Sequence, residues 1–499
     1  NTITQEWRVD YRFFQNIAEN LSSAHVGTLG DLARAIESDE PLSTLPWTRE
    51  INNPKQGTTH HNLSIKLDRR MTSQAKWGLR YTYQSNNRKE YDLRRGENKN
   101  RPALDLLLQS HDLIFNYRSP LQQSTQWSSG VSGQLQDNFS DPGTGVRRLI
   151  PDYLRYKAGA YWVGEYLPSN NFSAEIGLRF DFDYVDAQKY YKVGVWNDRG
   201  YDRDFSSTII RETSARNYLT QQRKSFGNLS ASAGIKQQLG NGIDLLFNVG
   251  YITRSPNPAE LFSDGLHHAL ATIELGDLRL TQERAVKTLV SAEKKTGDFQ
   301  FALTLYYNRI NDYIVLQPGE AGFDQARNSA FLIREYVQLP QVNMQGFDLD
   351  LSYRFSDSMT YKTTAAWVNA KTEEGNPLID LPPLNLQQQL FFSPFKNKPL
   401  RFGLRSEYVA EQTQVPDFNF DYNFFENGNI ETRLVDISSA PKAYHLLGFS
   451  IETNVAKKVD IRLVGENIFN VDYRNYLNRL RYFAGESGRN IRVELSYRF

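Results

Sequence analysis

Two adjacent histidines, His267 and His268, are the residues of this chain best suited to metal chemistry. A neutral imidazole nitrogen binds zinc, copper and haem iron. Because adjacent side chains usually point apart, we do not expect the two rings to chelate one ion together. The chain has no Cys and no Met near the pair, so no soft ligand accompanies them. The alternative interpretation is that a histidine at this position is a general feature of the loop that serves many ligands.

A second candidate is a predicted loop that combines aromatic and cationic side chains. Tyr190, Tyr191 and Trp196 come first, and Arg199 and Arg203 follow them. Arg stacks on aromatic faces and pairs with anions, so this combination suits anionic, aromatic ligands such as ferric siderophores.

A third candidate loop alternates Phe418, Phe420 and Tyr422 with Asp and Asn. Exposed aromatic side chains in a loop are typical of a contact surface for a hydrophobic ligand or a partner protein. The same residues could instead pack loop against loop, and the sequence leaves both interpretations open.

The remaining chemistry-bearing residues indicate no active site. His25, His60 and His61 could approach one another near one end of the predicted strands, but we interpret them as surface residues. No Asp, Glu, His or Ser lies in a nucleophile elbow, a zinc-peptidase helix or a phosphate-binding loop, so we do not expect an enzyme.

Composition narrows the class of protein. The chain has 499 residues and a formal net charge of +1, which argues against a nucleic-acid-binding protein. The absence of Cys excludes disulfides and thiolate metal sites. No run of 18 or more apolar residues could form a transmembrane helix. Transmembrane β-strands escape that test, because only alternate residues meet lipid.

The strongest structural pattern is the strict alternation of the final strand. Its apolar residues are Ile491, Val493, Leu495, Tyr497 and Phe499. The residues between them are Arg492, Glu494, Ser496 and Arg498. A period of two predicts a β-strand with one apolar and one polar face.

The rest of the chain repeats this pattern. We predict eighteen strands, from about residues 2–15 to the terminal strand, joined alternately by short turns and long loops. Short turns on one side and long loops on the other are typical of an antiparallel up-and-down transmembrane β-barrel. The predicted fold class is therefore all-β, with apolar side chains facing lipid and charged ones facing a polar lumen.

Four segments resemble TonB-dependent outer-membrane receptors. The most specific is 254–277, in which Arg254-Ser-Pro and Glu260-Leu-Phe lead through His267 to Glu274-Leu-Gly-Asp. The others are 144–151, 464–473 and the terminal strand with its final Phe499. The resemblance implies a receptor in the outer membrane of a Gram-negative bacterium. It also implies that Arg254 and His267 or His268 lie where ligands bind, and that the terminal strand is the signal read by the barrel-assembly machinery.

The family barrel has 22 strands around a plug that TonB pulls. We expect residues 1–499 to be the barrel domain alone, with eighteen strands of a 22-stranded barrel, and to lack the plug. In that case the first and last strands of the chain should not pair with each other.

The resemblance implies energised import of a scarce ligand, such as a ferric siderophore, haem, zinc or another metal. No covalently bound cofactor is expected. The expected partners are outer-membrane lipid, lipopolysaccharide and, where a plug exists, the TonB complex. The alternatives are a plugless barrel that joins other outer-membrane proteins in a larger complex, and a passive pore.

Overall fold

The computed structural model describes residues 4–24, 29–44, 46, 48–94, 96–267, 270, 272–319, 332–395, 399–426, 429–455 and 458–497. Eighteen long strands dominate this part of the chain. They are β1 (Thr4–Glu19), β2 (Lys55–Arg70), β3 (Lys76–Tyr91), β4 (Leu104–Arg118), β5 (Thr125–Ser140), β6 (Asp152–Ser169), β7 (Phe172–Lys192), β9 (Asn217–Gln238), β10 (Ile243–Arg254), β13 (Glu283–Lys294), β14 (Phe299–Pro318), β15 (Leu332–Ser356), β16 (Met359–Thr372), β17 (Asn385–Phe392), β18 (Leu400–Val409), β21 (Tyr444–Val455), β22 (Val459–Glu466) and β23 (Asn490–Tyr497).

Shorter elements lie in the long connections. The short strands are β8 (Ile209–Glu212), β11 (Asp264–His267), β12 (Thr272–Leu275), β19 (Phe420–Glu426) and β20 (Asn429–Val435). The α-helices are α1 (Leu29–Glu37), α2 (Val193–Asp198), α3 (Tyr201–Asp204) and α4 (Pro258–Phe262). Among the described residues, no helix has the length and apolarity to cross a membrane.

Each long strand pairs antiparallel with the next long strand in chain order, which is the predicted up-and-down arrangement. Short turns such as 170–171 and 357–358 alternate with long connections such as 193–216 and 410–443. In the described pairings, β1 and β23 are not joined to each other. Their loops do meet, because Arg474 Nη2 donates to the carbonyl of Ser38 at 3.1 Å. The sheet therefore curls until the loops at its two ends are in contact.

The two faces of the sheet differ as the alternation predicts. On β7, Ile176, Leu178 and Phe180 are about half exposed on the outer face. On the inner face Asp183 is buried and accepts two hydrogen bonds from Arg155, at 2.8 and 2.6 Å. Water-soluble monomers seldom expose so continuous an apolar surface, whereas a membrane barrel turns that surface to lipid and keeps ion pairs in its lumen.

Several strands extend further than predicted. We expected loops over 85–101 and 186–220, but β3 continues to Tyr91, β7 continues to Lys192 and β9 already begins at Asn217. Backbone hydrogen bonding continues past the point where apolar alternation ends, because residues beyond the bilayer need no lipid-facing side chains. These extensions carry the residues that build the site at the barrel mouth.

Candidate functional site

Arg254, at the end of β10, anchors the segment that closes the mouth. Its Nη1 donates to both carboxylate oxygens of Glu260 at 2.9 and 3.0 Å, and its Nε donates to Glu283 at 2.6 Å. Asn257 caps α4 in a reciprocal capping box with Glu260. Since two carboxylates occupy the guanidinium of Arg254, this predicted ligand contact orients α4 in the structure.

Gly276 explains why the segment needs a glycine after its second strand. A Cβ at this position would lie 2.6 Å from the carbonyl oxygen of Glu260 and 2.7 Å from the carbonyl carbon of Leu261. The amide of Gly276 donates to the carbonyl of Ser263 at 2.7 Å, and that of Asp277 donates to Glu260 at 2.9 Å. The chain therefore passes directly against the backbone of α4.

Between these points, β11 (264–267) and β12 (272–275) pair antiparallel, and we call these two strands the mouth hairpin. β12 also pairs parallel with the first residues of β15. On its other side Asp264 donates its amide to the carbonyl of Leu149 at 3.1 Å and forms an ion pair with Arg147. The hairpin therefore bridges strands and loops that are far apart along the sheet.

His267 lies at the end of β11 and uses both ring nitrogens. Nη2 of Arg88 donates to Nε2 at 3.3 Å, and Nδ1 lies 3.0 Å from Oε1 of Glu274. An Arg side chain can only donate, so Nε2 of His267 must accept this hydrogen bond. Nδ1 must then carry the ring proton and donate a hydrogen bond to Glu274. His267 can bind a metal or haem iron here only if one of these partners moves. His268 lies outside the described residues.

His267 belongs to a larger group, the mouth cluster, whose residues come from four strands and two loops. Its members are Arg88, Glu90, His267, Glu274, Arg334, Asp380 and Arg479. Positive and negative groups alternate through it. Arg479 lies 3.8 Å from Glu274 and 3.7 Å from Asp380, and Asp380 lies 3.3 Å from Arg334.

Several polar atoms of the mouth cluster have no hydrogen-bond partner among the described residues. They include Oε2 of Glu90, Nε of Arg88 and Oδ1 of Asp380, with Oγ1 of Thr272 beside them. Glu90 is fully buried. Buried polar atoms cost free energy unless paired, so these atoms are positions where water or polar ligand groups would bind.

Charge placement alters the acidity of Glu274. Burial alone raises the pKa of its carboxyl group. The hydrogen bond that His267 donates and the charges of Arg479 and Arg334 outweigh burial, and the pKa lies below its ordinary value of 4.5. Glu274 therefore remains a carboxylate that holds the hairpin.

The aromatic residues near α2 occupy both faces of β7 and its loop. Tyr191 and Trp196 are fully buried, and their rings contact each other and Tyr201 edge to face at 5.1–6.0 Å. They pack on α4, which supports the mouth hairpin. Tyr190 lies on the outer face of β7 and is 46% exposed. Of the predicted residues Tyr190, Tyr191 and Trp196, Tyr190 alone is exposed, and it faces away from the lumen.

The third predicted group lies in a separate loop core. Phe418, Phe420 and Tyr422 are partly buried against a cluster that includes Leu32 of α1 and Phe483. This arrangement matches the alternative of loop-on-loop packing. β19 and β20 pair with each other, and two large apolar side chains of β20, Ile430 and Leu434, are exposed at 72% and 58%. The sequence did not single them out.

The other predicted residues lie on defined faces. His61 accepts or donates a hydrogen bond with Tyr11 at 2.9 Å on the outer face, whereas His60 faces inward to Asn86 at 3.3 Å. Ile491, Val493, Leu495 and Tyr497 are more than half exposed on the outer face of β23. His25 and Phe499 lie outside the described residues. Within the described ranges, no three His, Cys, Asp or Glu side chains are arranged to hold a metal ion.

One family model matches nearly the whole chain. The sequence model of the TonB dependent receptor-like beta-barrel family matches residues 5–468. Among curated proteins, no significant match was found.

Solved structures with the same fold include three transporters or receptors. The copper transporter OprC is 13% identical, with a TM-score of 0.66 over 89% of this chain and 66% of that chain. The FrpB iron transporter from Neisseria meningitidis (F3-3 variant) is 15% identical, with a TM-score of 0.64 over 99% and 69%. The ferric-catecholate import receptor Fiu from K12 E. coli is 11% identical, with a TM-score of 0.68 over 99% and 72%. The chain thus spans about two thirds of the length of these proteins.

Proposed function

Because the chain belongs to the TonB-dependent receptor family, we propose that it is the barrel of an outer-membrane receptor that imports a scarce ligand by energised transport. The ligand is a ferric siderophore, haem or another metal complex too large for passive pores. The host is a Gram-negative bacterium, and TonB supplies the energy through a plug.

The cargo is inferred from what similar structures transport. OprC is a copper transporter, FrpB an iron transporter and Fiu a ferric-catecholate import receptor. At this low identity the likeness shows a shared fold. Because all three proteins transport metals or metal complexes, we would test metal complexes first.

The observation that carries the proposal is the position of the mouth hairpin. Arg254 anchors α4, which precedes the hairpin, and Arg147 pairs with Asp264, the first residue of the hairpin. Arg88 contacts His267 on the first strand, and Arg479 contacts Glu274 on the second. A segment held across the mouth by this many charged contacts favours a gated receptor over an open pore. Ligand would first contact the outer side of this hairpin and the loops around it, near His267.

The test is growth of a deletion strain on a panel of metal chelates, each supplied at a limiting concentration. We expect loss of growth on at least one chelate, restored by the intact gene and abolished again in a strain without TonB. Growth that is indifferent to every chelate would contradict the proposal for metals.

A passive pore would behave differently in a planar bilayer. We expect the purified protein to show no steady conductance while the mouth cluster is intact. Steady conductance that is insensitive to substitution of Arg88 or Arg479 would favour a pore.

A further inference from the structure

Lys189 fastens the base of the mouth hairpin to the barrel wall. It lies on the inner face of β7, and its side chain is only 4% exposed. Its Nζ donates a hydrogen bond to the carbonyl of Phe262, which ends α4 and so has no partner for that carbonyl within the helix. The same Nζ lies 3.6 Å from Oδ2 of Asp264, the first residue of β11. One ammonium group therefore joins the end of α4 and the start of the hairpin to β7.

This ammonium shares its carboxylate with a second cation. Nη2 of Arg147 forms an ion pair with Oδ2 of Asp264, which is the same oxygen that Lys189 approaches. Asp264 is fully buried. Burial of a charge costs free energy unless an opposite charge compensates it, and here one carboxylate faces two cations. The group formed by Lys189, Arg147 and Asp264 therefore carries an excess of positive charge.

The residues around this group do not balance the excess. Burial, followed by the charges of Arg147 and of Arg199 behind α2, lowers the pKa of Lys189 to about 7, although Asp264 acts in the opposite direction. The ring centroid of Tyr191 lies 4.8 Å from Nζ, and burial raises the pKa of its hydroxyl, so Tyr191 stays neutral. The amine of Lys189 therefore changes its charge near neutral pH.

Two polar groups beside Lys189 are buried without a hydrogen-bond partner in the part of the chain that the structure describes. They are Nη1 of Arg147 and Oγ of Ser263, the residue between Phe262 and Asp264. Both groups would find partners in water if the base of the hairpin moved outward. Unpaired buried groups raise the free energy of the closed arrangement, so an open arrangement lies closer to it in free energy.

We propose that Lys189 is a proton-sensitive latch of the mouth hairpin. When uncharged, it donates its hydrogen bond to Phe262 and the base of the hairpin stays closed on β7. When protonated, it favours an open base in which water solvates the ammonium. This inference concerns the hairpin itself and goes beyond the proposed function, because it does not depend on the ligand.

The direction of the pH effect follows from the two pKa values of the lysine. They are about 7 in the closed state and 10.5, the ordinary value, in the open state. Between them the open state binds one more proton than the closed state, so each unit of rising pH favours closing about tenfold. Below pH 7 both states are protonated, and the preference no longer changes with pH.

Hydrogen exchange of the purified protein in lipid vesicles tests the latch. The measured quantity is the protection factor of residues 262–267, which is the exchange rate corrected for its intrinsic increase with pH. We expect protection to rise about tenfold per unit between about pH 7.5 and 9.5, and to level off below 7. Lys189→Met should remain protected without this dependence. Lys189→Arg, which stays charged throughout, should be weakly protected at every pH.

Lys192→Met is the matched control, since Lys192 is exposed on the outer face of the same strand. It should keep the pH dependence of the parent. Parent protection that does not change over this range, or the same dependence in Lys189→Met, would overturn the latch. A dependence that extends over β6 and β9 would also overturn it, because the barrel wall would then be opening. None of these results involves transport, so failure of the latch leaves the proposed function standing.

Discussion

Nη2 of Arg88 donates a hydrogen bond to Nε2 of His267 across 3.3 Å, although 179 residues separate them in the chain. Arg88 lies on β3, near the start of the sheet, and His267 ends β11 in a connection between β10 and β13. This contact can form only because the sheet curls and the connection folds inward over the lumen. Through this hydrogen bond, His267 holds the mouth hairpin against β3.

Arg88→Met should loosen the mouth hairpin while leaving the barrel folded. The substitution keeps most of the side-chain volume, removes the donor to His267 and leaves Glu90 buried without its partner. We expect a local loss of about 1–3 kcal/mol. Hydrogen exchange of residues 264–275 should accelerate, with no change in the exchange of β6 and β7. Arg216→Met, at an exposed position, is the control, and equal exchange in the two variants would contradict the assignment.

Gly276→Ala should be far more harmful than its single methyl group suggests. The new Cβ would lie 2.6 Å from a backbone oxygen of α4, which has no flexible end that could move aside. We expect a loss of folded protein in the membrane of several-fold, as for overpacking of a close backbone contact. Gly240→Ala is the matched control, because nothing lies within 4 Å of a Cβ there. Equal yields of both variants would refute the close approach.

Acidification should release the mouth hairpin. A carboxyl group whose pKa is lowered on folding stabilises the folded state above its ordinary pKa, and the contribution is lost as pH falls through the lowered value. Glu274 has such a lowered pKa. Exchange protection of residues 272–275 should therefore decrease once the pH falls below 4.5. Glu274→Gln should show low protection that no longer depends on pH in this window, and an unchanged pH dependence in that variant would assign the effect to another group.

The outer face of the barrel can be tested with one pair of substitutions. Leu178 is 54% exposed on the outer face of β7, and Leu178→Arg should destabilise the barrel in lipid vesicles by about 2–4 kcal/mol. Ser232→Arg places the same group on the inner face, between Gly177 and Gly250, and should change stability little. Reversible unfolding in urea measures both. A larger cost for the inner variant would invert the assignment of faces.

The alternation of apolar and polar residues was enough to predict the fold. All eighteen predicted strands correspond to long strands, because lipid on one side and water on the other impose the same pattern on each. The pattern ends where lipid ends, and for that reason the predicted loop over 85–101 hid Arg88 and Glu90 on the last residues of β3. Beyond the lipid, the period of two still predicts which face of the sheet each residue lies on. Tyr190 shares the outward parity of Phe180, and Tyr191 shares the inward parity of Asp183.

The mouth cluster itself could not be predicted from spacing. Arg88, Glu274, Asp380 and Arg479 come from four distant segments, and only the curled sheet brings them together. The role of Gly276 was equally hidden, because it depends on a backbone contact with α4. Sequence resemblance pointed to the segment 254–277 and implied ligand contact there, which stays a prediction. The structure adds that several of its polar residues hold the segment in place.

Uptake of a labelled metal chelate by energised cells tests the central claim most directly. Cells that carry the gene should accumulate the chelate, and cells lacking TonB or treated with a proton uncoupler should bind it without accumulating it. Accumulation that continues unchanged without TonB and without a proton gradient would contradict the account, since it would show that the mouth hairpin bounds a passive route.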